Sequence, residues 1–225
     1  MKTINGGIGD IFLTRLLFDT YAVETPVYYN KKISELYREN REEHLLFIYE
    51  LGKKLFKNFG LFYEDSITIQ EEDKRCDFKK EFTNLSKWFY ESNNKTPFLP
   101  SAYILFHTKV RMDENMDEFE NHIRPALREI FTEHKFHLPV VIVGEKKVCE
   151  NYESKVHKQI SIYDELILLK NKNEVHNLTR DTLYNTPDMN VFIRDMTIIA
   201  NAKKVFGFGW GGYYAMTWAV TVNYC

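Results

Sequence analysis

Short apolar segments alternate with amphipathic segments along the whole chain, and this alternation restricts the fold more than any other feature. The apolar or alternating segments have the length of strands and lie at 2–5, 26–30, 65–70, 102–107, 138–144 and 203–208. One of them, "LPVVIVG" (138–144), is almost entirely apolar, as in a parallel strand that is buried on both faces. The pattern therefore predicts an α/β fold built on parallel sheets.

Helices are predicted between these strands, because apolar residues recur there every three or four positions. They cover about 10–22, 42–60, 77–92, 114–134 with a break near Pro125, 189–202 and 212–222. Gly60 is interpreted as the glycine that ends the second of these helices. Residues 170–189 are polar and are predicted to form mostly loop.

The stretch "SNNKTPFLPS" (92–101) is the most linker-like part of the chain, because it combines prolines with small polar residues. The alternation of strands and helices resumes after it. We therefore predict two Rossmann-like lobes, one over 1–97 and the other over 98–225, which face a central cleft.

Charge and composition exclude several classes of protein. The 225 residues carry a formal net charge of −2, without the basic half that a nucleic-acid binder presents. No stretch approaches the ~18 apolar residues of a membrane span. Asp10, Arg15 and Asp19 interrupt the apolar run that a signal peptide needs. The three cysteines are far apart and odd in number, so we expect no disulfide framework and a reducing, cytoplasmic setting.

The motif "GGIGD" (6–10) lies between a predicted strand and a predicted helix. Exposed backbone N–H groups and the positive end of the helix dipole meet at such a turn, which makes it a site for an anion or a polar ligand. The candidate ligand contacts are Gly6, Gly7 and Gly9. Phe12 stands where a dinucleotide-binding fingerprint requires a third small residue, so that fingerprint is absent. A tight turn that only packs the helix on its strand is an equally good interpretation.

Asp10, at the start of this helix, has two interpretations. Its carboxylate caps exposed N–H groups, which is the commoner role of an aspartate at this position. Alternatively, it is a general base that faces the cleft between the lobes. The residue by itself does not decide between them.

A second glycine-rich segment, "FGFGWGGYYAMTWA" (206–219), follows a predicted strand and opens a predicted helix. It repeats the first arrangement in the second lobe, so the two turns are predicted to face each other across the cleft, where small-molecule sites concentrate. The alternative is a close turn under aromatic side chains. The candidate ligand contacts in this segment are Gly209, Trp210, Gly211, Gly212 and Tyr213.

Charged residues follow two of the predicted buried strands. In "FHTKVR", the residues His107, Lys109 and Arg111 alternate, so all three are predicted to project from one side. Two cations at the carboxyl end of a strand suit a diphosphate; a solvated strand edge is the alternative, above all for Arg111. Glu145 follows "VVIVG", at a strand end where an acid accepts hydrogen bonds from ribose hydroxyls. A plain surface glutamate is the alternative there.

The order of these parts resembles that of GT-B glycosyltransferases of the heptosyltransferase kind. "GGIGDIFLTRLL" looks like the glycine-aspartate turn near the amino terminus of that family. "YILFHTKVR", the long helix after it and "PVVIVGEKK" resemble the opening of the family's donor-binding lobe. "MTIIANAKKVFGFGWGGYYAMTWAV" resembles the end of that lobe, and the resemblance extends over most of the chain.

The resemblance implies a metal-independent, inverting transfer of a sugar from a nucleotide diphosphate-sugar to a glycan hydroxyl. It also implies that 1–97 is the N-terminal acceptor-side lobe and that 98–225 is the C-terminal donor-binding lobe. Asp10 would deprotonate the acceptor, Lys109 and Arg111 would hold the donor diphosphate, and the 207–213 loop would surround it with backbone N–H groups. No cofactor is implied besides the nucleotide-sugar co-substrate. The chain also has no Asp-x-Asp pair, which grips manganese in the other large class of glycosyltransferases. The aromatic loop slightly favours a deoxysugar such as rhamnose.

The chain departs from the family pattern at several points. Its amino lobe is short, residues 107–108 replace a proline-glycine pair, and residues 209–212 replace an Asp-Gly or Ser-Gly pair. The family's closing helix, which returns to the first lobe, is missing before Cys225. The chain is therefore read as a compact member or as one module of a larger polypeptide. The alternative functions are a non-catalytic nucleotide- or sugar-binding module and another nucleotide-dependent α/β enzyme, such as an epimerase or methyltransferase.

Overall fold

The computed structural model describes residues 2–4, 7–8, 11, 14–15, 26–32, 41–63, 99–112, 116–147, 158–181 and 189–209. Within these ranges the strands form two separate sheets, one from the N-terminal half of the chain and one from the C-terminal half. Strand pairing is parallel throughout, except at one strand of the second sheet. The prediction of an α/β fold with parallel sheets is confirmed.

The first sheet contains three parallel strands in the order β1-β2-β3, which are β1 (Lys2–Ile4), β2 (Val27–Asn30) and β3 (Phe59–Phe62). Helix α1 (Arg41–Leu55) precedes β3. Acidic residues in its first turn and lysines in its last turn complement the helix dipole. Its apolar stripe is buried in the same cluster as the strands, through Phe47, Ile48, Leu51 and Leu55.

The predicted helix 42–60 is wrong at its C-terminal end. Helix α1 ends at Leu55, and Gly60 lies in β3, so this glycine does not end the helix. The backbone N–H of Val27 donates to the carbonyl of Asn58 at 2.8 Å, immediately before β3 pairs with β2. An apolar segment whose spacing suits a helix thus becomes a strand because a neighbouring strand offers it hydrogen bonds and a buried face.

Among the described residues the second sheet contains five strands, which are β4 (Ile104–Met112), β5 (Val140–Val143), β6 (Lys158–Ser161), β7 (Val175–Asn177) and β8 (Lys204–Gly209). Four of them are parallel and lie in the order β7-β5-β4-β8. In chain order this is third, second, first and fourth. The direction in which strands are added therefore reverses between β4 and β8.

The helical segments beside the second sheet are α2 (Met116–Glu118), a π-helical turn (Phe119–Ile123), α3 (Arg124–Glu133), α4 (Tyr163–Leu166), a 3-10 turn (Ile167–Asn171) and α5 (Met189–Asn201). The helix does not break near Pro125, because Ile123 and Arg124 both keep right-handed helical backbone angles and only the hydrogen-bond pattern changes, from the π-helical turn to α3. The irregularity at this point is therefore a π-helical turn, and Pro125, which has no N–H to donate, stands in the first turn of α3.

Helices cover both faces of the second sheet, as expected for parallel strands. The face that carries Ile104 and Ile142 packs on α3, α4 and the 3-10 turn. The opposite face carries Leu105 and Val143 and packs on α5. The helical residues buried on the first face are Leu127, Phe131, Leu166 and Leu169, and those on the second are Phe192, Met196, Ile198 and Ile199.

The α5 face of the second sheet also contacts the N-terminal half of the chain. Its buried residues belong to one hydrophobic cluster with Ile4 and Tyr29 of the first sheet. The rings of Phe47 on α1 and Phe192 on α5 meet edge to face, with 5.4 Å between their centroids. The two sheets therefore share a core. The predicted division at residue 97 falls outside the described residues and stays a prediction.

Tyr103 fixes the position of α5 relative to β4. Its hydroxyl donates to the carbonyl of Ile198 at 2.6 Å inside the protein, and burial raises the pKa of this phenol. The backbone carbonyl of Tyr103 accepts from the N–H of Lys203 at 2.9 Å, immediately before β8 begins. The end of α5 and the start of β8 are thus both tied to the start of β4.

The interpretation of residues 170–189 as mostly loop is only partly right. Val175–Asn177 form β7, and α5 begins at Met189. β7 is three residues long and polar at two of its positions, so its sequence carries little strand signal. Pairing with β5 makes it a strand, because Ile142 and Gly144 supply backbone partners for Leu178 and Arg180 as well.

A buried ion pair holds α4 against α3. The carboxylate of Glu165 is completely buried and accepts from Arg124 at 2.8 Å and from Arg128 at 3.1 Å. The side chain of Arg124 is 17% exposed, whereas that of Arg128 is 58% exposed. Most of the compensation for burying this carboxylate therefore comes from Arg124.

Several predicted elements fall wholly or largely outside the described residues: the strand 65–70, the helices 77–92 and 212–222, and most of the linker 92–101. Of the predicted helix 10–22, the described positions 11, 14 and 15 are helical. None of the helices in the described ranges combines the length and the apolar character that crossing a membrane requires.

Candidate functional site

Strand β4 changes its partner half way along. Ile104–His107 pairs with β5, and Lys109–Met112 pairs with β6. On the other side β8 pairs with both halves of β4 but skips residues 107–109, where the register shifts. The predicted strand 102–107 is therefore too short, because β6 and β8 provide hydrogen-bond partners that extend β4 to Met112.

His107 lies at this change of partner and is buried, with 4% of its surface exposed. Burial lowers the pKa of His107 to about 3, and the positive charges of Lys109 and Arg180 also lower it, against a backbone hydrogen bond that raises it. The ring is therefore neutral at neutral pH. Its Nδ1 accepts from the backbone N–H of Lys109 at 3.2 Å, which assigns the proton to Nε2. His107 therefore brings no positive charge to this site.

Gly144 follows β5 and lies beside His107 and Thr108. Its φ of +106° is a conformation that side chains disfavour, and a Cβ there would overlap the hydroxyl of Thr108. The next carbonyl, that of Glu145, accepts from Thr108 Oγ1 at 2.8 Å and from Ser161 Oγ at 2.9 Å. The turn after β5 is thus fixed by side chains from β4 and β6.

Glu145 is buried beside this turn, so the alternative of a plain surface glutamate is wrong. Its Oε1 accepts from Nη2 of Arg180 at 3.0 Å, across the short step between the ends of β5 and β7. The backbones of the two residues also form a parallel bridge. Glu145 therefore lies at the carboxyl end of a parallel strand, where the sequence analysis expects it, with a partner that the sequence analysis does not predict.

Asp195 on α5 extends this cluster. Its side chain has no exposed surface, its Oδ1 accepts from Nη2 of Arg194 at 2.6 Å, and its Oδ2 lies 3.5 Å from Nη2 of Arg180. Burial raises the pKa of Asp195, while the positive charges of Arg180 and Arg194 oppose that shift. We call Glu145, Arg180, Arg194 and Asp195 the Asp195 cluster.

The Asp195 cluster lies on the face of the second sheet that packs toward the N-terminal half. Asp195 belongs to α5, which packs on this face beside Leu105 and Val143. The same hydrophobic cluster includes Ile11 and is contacted by Ile8, which belongs to "GGIGD". The first glycine motif and the strand ends of the second sheet therefore border one core.

The structure brings together two predicted groups that are distant in the sequence. Arg111 on β4 is the register partner of Gly209 on β8, and Lys109 is the register partner of Ser161 on β6. Gly7 is described and half-buried. The remaining predicted residues lie outside the described part of the chain, and these are Asp10, Gly6, Gly9, Trp210, Gly211, Gly212 and Tyr213.

Arg180, Arg194 and Asp195 are not among the residues predicted from the sequence. Asp195 has a signal that sequence reasoning can use, since it follows Phe192 by three positions and precedes Ile199 by four. A carboxylate in the apolar stripe of a helix needs a buried partner. Arg180 has no such signal, because it follows a strand that only its pairing with β5 reveals.

No group of three or more metal-binding side chains lies together in the part of the chain that the structure describes. Metal independence stays a prediction. No protein-family model matches the chain, and comparison with curated proteins and with solved structures finds no match either. The function is therefore argued from the residues and their geometry.

Proposed function

We propose that the chain is a metal-independent, inverting glycosyltransferase with two Rossmann-like lobes, which binds a nucleotide diphosphate-sugar at the second sheet. One observation carries the proposal. The pairing of Arg111 with Gly209 puts a basic strand end beside the start of a glycine-rich loop, although 98 positions separate them.

The strand order supports this location. The order β7-β5-β4-β8 is that of the first four strands of dinucleotide-binding folds. In such sheets, ligands bind at the carboxyl ends of the strands where the order reverses, which here is between β4 and β8. Lys109 and Arg111 are at this end of β4, and Gly209 ends β8 at the same edge. Residues 207–209 of the predicted loop thus belong to β8, and residues 210–213 lie outside the described part of the chain. This arrangement suits a diphosphate.

The proposed chemistry assigns each group a separate task. Lys109, Arg111 and the backbone N–H groups of the 207–213 loop stabilise the negative charge that grows on the departing nucleotide diphosphate. Asp10 takes the proton of the acceptor hydroxyl as that oxygen bonds to the anomeric carbon. The attack comes from the face opposite the nucleotide, so the anomeric configuration inverts. The acceptor is a glycan hydroxyl, and a deoxysugar such as rhamnose is the weakly favoured group transferred.

The proposal is tested by titrating the full chain with inorganic pyrophosphate and with nucleoside diphosphates. Lys109→Ala should weaken binding of both ligands about 10- to 100-fold, because a charge-assisted hydrogen bond contributes about 1.5–3 kcal/mol. Lys146→Ala is the matched control. Lys146 follows the neighbouring strand but lies over the ring of Tyr163 and binds Asp181 at 2.7 Å, on the α4 side of the sheet. Its removal should leave both affinities unchanged.

Turnover of a nucleotide-sugar separates catalysis from binding. Asp10→Asn should lose about 10²- to 10⁴-fold in rate while pyrophosphate binding survives, since general-base catalysis is typically of that size. Diphosphate binding without any sugar transfer or nucleotide-sugar hydrolysis would indicate a non-catalytic binding module. Equal affinities in wild type, Lys109→Ala and Lys146→Ala would refute the diphosphate site itself.

A further inference from the structure

Arg180 lies between two buried carboxylates that belong to different elements. One is Glu145 at the end of β5, at 3.0 Å, and the other is Asp195 on α5, at 3.5 Å. The same guanidinium nitrogen, Nη2, makes both contacts. Arg180 thus connects a helix in the shared core to the carboxyl edge of the sheet.

The Asp195 cluster is balanced in formal charge. Two carboxylates, those of Glu145 and Asp195, face two guanidinium groups, those of Arg180 and Arg194. Burial makes an unbalanced charge costly, and here each carboxylate has a cation within reach. The cluster therefore needs no ligand to be stable, and its consequence is that the side chain of Glu145 is held in one orientation.

Glu145 keeps one carboxylate oxygen for another partner. Arg180 occupies Oε1, and within the described residues no other side chain donates to this carboxylate. An ionised carboxylate accepts hydrogen bonds on both oxygens, so Oε2 is available to hydroxyl groups. Glu145 is also one strand away from the point where the strand order reverses, the position at which an acid binds ribose hydroxyls in sheets of this order.

We propose that Arg180, held by Asp195, is a positioning residue that orients Glu145 toward the ribose hydroxyls of the nucleotide, and that the site thereby selects ribonucleotides over deoxyribonucleotides. The inference rests on the proposed nucleotide site. Arginine suits this task because its guanidinium is always charged and its rigid planar fork fixes the direction of the hydrogen bond to Glu145, whereas the flexible ammonium of lysine does not.

The test compares ribonucleoside diphosphates with the 2′,3′-dideoxy compounds of the same base, by titration of the full chain. Wild type should prefer the ribose form about 10- to 100-fold, the size expected from hydrogen bonds to a carboxylate. Glu145→Gln should bring this ratio close to one. Arg180→Lys keeps the positive charge and should lower the ratio about 3- to 10-fold, with the affinity for inorganic pyrophosphate unchanged.

Arg194→Lys is the matched control. Arg194 also contacts Asp195, donating from Nε at 2.9 Å and from Nη2 at 2.6 Å to Oδ1, but its other hydrogen bond goes to the carbonyl of Leu178, not to Glu145. Its substitution should leave the ribose preference at the wild-type value. In the double variant Glu145→Gln/Arg180→Lys, the ratio should equal that of Glu145→Gln alone, because Arg180 acts through Glu145.

The outcomes separate this inference from the proposed function. Pyrophosphate binding that depends on Lys109, together with a wild-type ribose ratio of one, would overturn the inference and leave the diphosphate site intact. An unchanged ratio in Arg180→Lys, or a parallel loss of pyrophosphate affinity, would reduce Arg180 to a purely structural role. Absence of binding to any diphosphate in wild type would overturn both proposals.

Discussion

The sharpest stability prediction concerns Gly144, at the turn after β5. Replacing it by alanine introduces a Cβ at a φ of +106°, which costs about 1–3 kcal/mol by itself. The same atom would overlap Thr108 Oγ1 and lie 3.0 Å from Nε2 of His107. Both neighbours are buried, at 0% and 4% exposure, so neither side chain can rotate into solvent to make room.

The two contributions set the size of the effect. Relieving a steric overlap in a packed interior costs about 1–3 kcal/mol. The side chain of Thr108 would also lose its 2.8 Å hydrogen bond to the carbonyl of Glu145. We therefore expect Gly144→Ala to lower the free energy of unfolding by about 2–6 kcal/mol. For a chain of this size, at about 2–4 °C per kcal/mol, that corresponds to a fall in melting temperature of about 4–24 °C.

The assay is urea and thermal unfolding followed by circular dichroism, with Gly207→Ala as the control. Gly207 is also a glycine of the second sheet, but a Cβ there would meet no atom within 4 Å. Its replacement should leave stability unchanged or raise it by up to about 1 kcal/mol, because alanine loses less entropy on folding. Equal melting temperatures for wild type and Gly144→Ala, or equal losses in both variants, would refute the reasoning.

Two further predictions concern buried ionisable groups. Burial lowers the pKa of His44 to about 4 and that of His107 to about 3, so both rings take up a proton on unfolding below about pH 6.5. The free energy of unfolding should therefore be highest above pH 6.5 and fall toward pH 4, by up to about 1.4 kcal/mol per pH unit for each histidine. Urea titrations at several pH values should show that this free energy changes less steeply with pH in His44→Gln than in wild type. An equal steepness in both proteins would contradict a lowered pKa of His44. Arg124→Met should lower stability by about 3 kcal/mol, because it leaves the carboxylate of Glu165 buried with a single exposed partner. Arg128→Met should cost less than about 1 kcal/mol, and equal effects in chemical denaturation would show that both arginines compensate Glu165 equally.

Sequence reasoning works best where a pattern is local and repeated. "LPVVIVG" predicts β5, and the apolar stripe of residues 189–202 predicts α5. In both elements the buried positions are apolar at the spacing that the strand or the helix requires, so the pattern is visible in the sequence of the element itself. The irregularity at Pro125 is likewise local, since the missing N–H acts on its own turn. The prediction of charged residues at strand ends follows from the same local pattern.

Elements whose structure depends on a distant partner are predicted poorly. The first two residues of β3, 59 and 60, are assigned to the helix 42–60 because Phe59 continues the spacing of α1. β7 is assigned to a loop because two of its three residues are polar. Each becomes a strand by pairing with β2 or β5. Hydrogen bonds between strands leave no periodic trace in the sequence of a three- or four-residue segment.

The sequence by itself therefore determines the α/β class, the parallel sheets and the candidate residues His107, Lys109, Arg111 and Glu145. Only the tertiary structure decides the charge state and the orientation of their side chains. Burial makes His107 neutral, and Arg180, which no local pattern identifies, holds Glu145. The physical reason is that charge state and orientation depend on groups that the fold brings close in space, and in this chain those groups come from strands and helices many residues apart.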